Sequence, residues 1–294
     1  MLRQPRRLLP CQRNQLPVAF SELIRAAIAL QEYTLNEVLA RLRLRGGYAI
    51  LAGVLLLIGV PLFQSLILSP TGYLDAVNAI ITHQQFGPLL VWAAAHPFES
   101  RLFRVFEVIP FLLAFGLPGP MRALFWPDQP HSGRVAVWAG RIGFVLFALA
   151  LFIGMFTSAA SATSYVTATT ATARQSIALD YAGRYALETL LARVLGGIGV
   201  TVFLVIISLR MVRTRAFPLW FAYLGIVCAA LMAATALLFA LGPAQATTPT
   251  SGLAFVLLAL WLILAGVLLV RLRTLPAIPG SAAVPPPPSP TRAQ

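Results

Sequence analysis

GLAFVLLALWLILAGVLLV, residues 252–270, is the stretch on which the fold turns. It holds no charged residue and is followed at once by Arg271 and Arg273. As a helix rising about 1.5 Å per residue it matches the roughly 30 Å hydrocarbon core of a bilayer. Its apolar residues are continuous rather than set at amphipathic spacing, which leaves no side for water. Blocks of the same kind recur toward the N-terminus. They place six spans, at about 48–68, 102–121, 135–158, 188–209, 217–241 and 252–270. Composition agrees: 59% of residues are apolar and 11% charged, against about 25% charged in soluble domains, and mean hydropathy is +0.81. The expected fold is an all-α polytopic transmembrane bundle.

Outside the spans the chain divides in three. Residues 1–46 read as a basic cytoplasmic tail followed by an amphipathic helix over 21–45. In that helix Leu23, Ile24, Ala27, Ile28, Leu35, Val38, Leu39 and Leu42 recur at threes and fours. The helix either lies on the membrane surface or packs on the cytoplasmic ends of the bundle, and Gly46-Gly47 is expected to end it. Residues 47–272 form the membrane domain, and 273–294, with four prolines at 285–288, an extended tail. Between the first two spans, Phe86 to Ala95 is apolar but too short to cross. It reads as an interfacial or partly re-entrant segment with Trp92 at headgroup depth. Residues 159–185 read as a polar, nearly uncharged linker. No cleavable signal is expected, since Leu8-Leu9-Pro10 is far too short for an apolar signal core, and Pro5, Pro10 and Pro17 disfavour an amphipathic presequence.

The net charge of +13 comes entirely from arginine, with no lysine in the chain. Sixteen arginines flank the spans on the side of the termini and five on the opposite side, with Arg141 inside the third span. This alternation sets both termini in the cytoplasm, and anionic headgroups explain the basic balance better than nucleic acid does. Arginine without lysine, in a chain rich in Ala, Leu and Gly, points to a GC-rich bacterial gene and so to a bacterial inner membrane. Cys11 and Cys228 fall in the tail and in a span, where they do not pair.

Ionisable residues inside spans cost roughly 2.5–3.5 kcal/mol each at the helix centre, so each needs a reason. Glu107, Arg193, Arg104 and Arg141 are the candidates. Helical rise puts Glu107 and Arg193 at similar depth, with Arg104 on the same helix face as Glu107 and Arg141 nearer the cytoplasm. A Glu107–Arg193 pair would bind a polar ligand or lock spans two and four together; the alternative is arginines snorkelling to the headgroups. Arg141, beside Ala139, Gly140 and Gly143, donates to backbone carbonyls or snorkels inward. His83 and His96, with Asp75 and Glu99 nearby, form an imaginable outer metal site whose spacing matches no known ligand pattern. Gly225, Ala229 and Ala233 in span five, and Ala192, Gly196, Gly197 and Gly199 in span four, are spaced for close helix contact, either between these two spans or in a homo-oligomer.

No nucleophile–base set, phosphate loop, CxxC or paired intramembrane acids is present, so no enzyme activity or cofactor is implied. Two functions follow: a non-enzymatic structural or regulatory membrane protein, or a small-solute or lipid carrier using a crevice near Glu107. His96-Pro97, Leu102-Phe103-Arg104, Arg141 and Arg213-Thr214-Arg215-Ala216-Phe217-Pro218-Leu219-Trp220, with Leu224-Gly225, resemble a group of uncharacterised bacterial six-span proteins, domain-of-unknown-function family 4386. The resemblance covers about 48–271 and implies a fold class, with no activity or site residues.

Overall fold

A computed structural model describes residues 37–126, 130–241 and 244–272, and every element among them is helical. The N-terminal stretch to residue 36, including most of the expected amphipathic helix and Cys11, and the Pro-rich tail 273–294 lie outside the described residues. Two units are distinguished, Met1–Arg41 and Leu42–Gln294. In the first, the described turn carries an ion pair between Arg41 and Glu37. The second is the bundle.

The nine described helices are α1 (Glu37–Thr71), α2 (Tyr73–His83), α3 (Gly87–Ala95), α4 (Pro97–Ala114), α5 (Pro118–Phe125), α6 (Pro130–Thr167), α7 (Ala171–Thr214), α8 (Leu219–Leu241) and α9 (Ala244–Arg271). Six helical segments are long and apolar enough to cross a membrane: α1, α4 with α5, α6, α7, α8 and α9. Large apolar side chains such as Leu66, Phe152, Phe156, Trp220 and Leu237 stand exposed on their outer faces. Water would penalise such surfaces and lipid does not.

The helices overrun the predicted spans. α1 does not stop at Gly46-Gly47 but continues unbroken, because Gly46 has a packing task. A Cβ on Gly46 would lie 2.8 Å from Gly266 O and 2.9 Å from Leu269 Cβ of α9, whereas one on Gly47 would meet nothing within 4 Å. Farther along, Pro61 lacks the N–H that would close a helical turn. The backbone on either side widens to a π pitch at Leu55–Gly59 and Gln64–Leu68. The expected linker 159–185 is mostly helix: α6 runs to Thr167 and α7 starts at Ala171, capped by the Thr170 hydroxyl accepting from Ala173 N. Its Ala-rich composition favours helix, and hydropathy reported only that it was polar. Pro118, near the end of the expected second span, opens α5, since proline suits a first helical turn.

The segment between α1 and α4 folds as α2 and α3 over the end of the bundle away from the start of α1. Trp92 is buried there against protein, and its indole donates to Thr71 Oγ1 at 2.8 Å. Around it Phe63, Leu68, Leu90, Phe103 and Tyr181 form an apolar cluster drawn from α1, α3, α4 and α7. At the opposite end Arg43 Nη2 donates to Leu272 O at 3.0 Å, which joins the start of α1 to the end of α9. This is the basic end; the other is the far end.

The small residues act inside the chain. Gly143 of α6 faces Gly196 and Gly199 of α7, so a Cβ there would lie 2.6 Å from Val200 N. Those two glycines therefore serve spans three and four, not four and five. Gly197 turns to α8, toward Ala236, and spans four and five also meet where Gly225 lies against Ser208 and Thr201 Oγ1 donates to Ala229 O. On α8 the buried face is Gly225, Ala229, Met232 and Ala236, while Ala233 is exposed.

Candidate functional site

At the far end the intramembrane polar residues resolve into three arrangements. Arg104 and Glu107 lie on one face of α4, one turn apart, and Arg104 Nη1 donates to Glu107 Oε2 at 3.0 Å. Both side chains are about one-fifth exposed, so the pair is neither fully dry nor freely hydrated. Glu188 of α7 is buried against α6, where Thr157 Oγ1 donates to its Oε1 at 2.7 Å. Its carboxylate packs against the bare backbone of Gly154, where a Cβ would lie 2.5 Å from Oε2 and oblige the carboxylate to shift. Arg193 lies in a π-pitched stretch of α7, Leu190–Gly196, that turns its side chain toward α8 and α9. Its Nη1 donates to Ser251 Oγ at 2.6 Å, and its Cζ lies 4.5 Å from the Phe255 ring centre and 5.8 Å from that of Phe239.

The expected Glu107–Arg193 pair is therefore not formed. Glu107 is close enough to act on the Arg193 charge through space, but it is engaged by its own helix neighbour. The rotation of each helix about its own axis, which decides the partner, is not visible in the sequence. Arg141 stands apart near the basic end, its Cζ 5.5 Å over the Phe115 ring, and no hydrogen bond to a backbone carbonyl is formed among the described residues. Of the four candidates, the structure brings together Arg104 and Glu107, keeps Arg193 nearby, and separates Arg141.

Residues that sequence reasoning missed complete the cluster. Tyr73 and Tyr181 flank Arg104 and, with Trp92, Ser100 and Ser158, line a cavity of about 20 Å³. That is room for a single water molecule. Burial pushes the Tyr73 phenol above its ordinary range, with the Arg104 charge pulling the other way, so Tyr73 remains a neutral donor at physiological pH. Hydroxyl residues in or beside the apolar blocks, Thr157 within the third and Ser251 just before the sixth, are the available signal. Nothing in the sequence said which acid or guanidinium each would meet.

The imagined outer metal site is not assembled. His96 stacks on Trp92 with ring centres 5.5 Å apart, and the described residues contain no group of three His, Cys, Asp or Glu side chains placed to hold a metal. Cys228 is buried and unpaired, as expected of a cysteine inside a span.

Six apolar helices, lipid-compatible outer faces and a charge-balanced polar cluster between helices define an integral, multi-pass membrane protein. No protein-family model matches the chain, and neither do any curated protein or solved structure.

Proposed function

We propose that this chain is a non-enzymatic structural or regulatory protein of the bacterial inner membrane, with its basic end cytoplasmic, and that the far-end cluster is a helix lock. The observation carrying this reading is the closure of the cluster. Each acid is engaged, Glu107 by Arg104 and Glu188 by Thr157, and the cavity beside Arg104, about 20 Å³, has room for one water. The excess of arginine at the basic end supports the orientation, and the motifs quoted above support kinship with domain-of-unknown-function family 4386.

The test is Glu107→Gln in the full-length protein in detergent. Loss of the partner leaves Arg104 part-buried without its anion, and a lowered unfolding midpoint is expected, on the order of 1–3 kcal/mol. Phenotype and solute flux in proteoliposomes are expected to stay unchanged. A second reading, a solute or lipid carrier near Glu107, draws support from the π-pitched stretches at 55–59, 64–68 and 190–196, since such turns cluster at functional sites. Flux lost in Glu107→Gln while the unfolding midpoint holds would favour it over the lock.

A further inference from the structure

We propose that the basic end carries a binding site for the phosphate of an anionic lipid, formed by Arg45 of α1 and Arg141 of α6 at the break between α4 and α5. The break is the turn Phe115–Leu117, and two glycines near it let guanidinium groups rest on bare backbone. A Cβ on Gly116 would lie 2.5 Å from Arg45 Nη1, and one on Gly119 would lie 3.2 Å from Arg141 Nη2. Gly116 and Gly119 are three residues apart at this turn, so the two guanidinium groups rest on one short stretch of backbone. A phosphate accepts from both when the donor nitrogens come within about 8 Å, a separation that rotation of these long side chains reaches.

Charge favours an anion here. Arg104, Arg184 and Arg41 each have a carboxylate partner. Arg45 and Arg141 have none among the described residues and instead lie over rings, Arg45 Cζ 5.7 Å from the centre of Tyr48 and Arg141 Cζ 5.5 Å from that of Phe115. Arg141 Nε is fully buried with no acceptor among the described residues. Arg141, with a buried orphan donor, beside the exposed Arg45, whose charge also has no carboxylate partner among the described residues, favours an anion placed between them.

Position selects a lipid over a free anion. Arg45 is the last charged residue before the apolar run of α1, so the site sits at the edge of the hydrocarbon layer. Leu112, one turn before Gly116 on α4, and Phe115 itself are exposed beside it. A headgroup phosphate at the arginines would lay its acyl chains along this apolar flank.

Thermal unfolding of the full chain in neutral detergent, titrated with phosphatidylglycerol, phosphatidylcholine or inorganic phosphate, tests the assignment. Phosphatidylglycerol should raise the midpoint of the native protein and of Arg213→Gln, a basic-end control outside the site. Arg45→Gln and Arg141→Gln should each weaken the phosphatidylglycerol response about ten-fold, as expected for loss of one charge-assisted bond. Arg45 is exposed, so its variant is readable even where Arg141→Gln fails to fold. A native response in Arg45→Gln, or an equal loss in Arg213→Gln, overturns the site. Phosphatidylcholine matching phosphatidylglycerol overturns the requirement for an anionic lipid, and inorganic phosphate matching it overturns the lipid source.

Discussion

Glu188 shows how one residue's neighbours decide its cost. A buried carboxylate needs a donor and space, and here Thr157 supplies the first and Gly154 the second. Gly154→Ala should therefore lower the unfolding midpoint in detergent, with overpacking and displacement of the carboxylate together costing about 1–3 kcal/mol. Thr157→Val should cost about 1–3 kcal/mol by leaving the carboxylate short of a donor, and a double-mutant cycle with Glu188→Gln should show the two effects to be non-additive. Additive losses would mean the pair does not interact. The same logic applies to Gly225, where an added Cβ would collide with Ser208 Oγ and lie 2.9 Å from Trp261 Nε1. That the intramembrane polar residues matter was legible in the sequence, because charge in hydrocarbon always needs an explanation. Their partners were not, since a pairing depends on the rotation of each helix about its own axis.

At the scale of the element, hydropathy located every span but misjudged where several helices end. It reports solvent, and a helix that leaves the membrane continues for as long as its backbone is favoured. Hence α6 and α7 extend to Thr167 and back from Ala171 through a stretch that reads as a linker. Gly46-Gly47 was misread for a related reason: paired glycines suggest a stop, yet inside a bundle glycine also marks close approach. The two can be separated by experiment. Gly46→Leu should destabilise the protein by more than about 1 kcal/mol through contact with Gly266 and Leu269. Gly47→Ala, in open space within the same helix, should stabilise it by about 0.5–1 kcal/mol. Opposite shifts in the unfolding midpoint are expected from adjacent residues of the same type.

For the whole molecule, orientation rests on the arginine bias, and the chain's own cysteines make it measurable. Cys228 is fully buried and should stay silent to a membrane-impermeant maleimide. Cys11 should react only from the cytoplasmic side, and Thr169→Cys, in the α6–α7 turn, only from the outside. Labelling of Thr169→Cys solely from the inside would invert the orientation.

The contact of Gly46 and Gly53 with α9 bears on biogenesis. A Cβ on Gly53 would lie 2.5 Å from Ala259 O, so α1 and α9 are seated on each other along two glycine positions. Of the described helices α1 is made first and α9 last, so the bare flank of α1 waits for α9 before it is covered. A polypeptide halted before α9 would present that flank to lipid and to quality-control proteases, which makes the insertion of α9 the event that shields it.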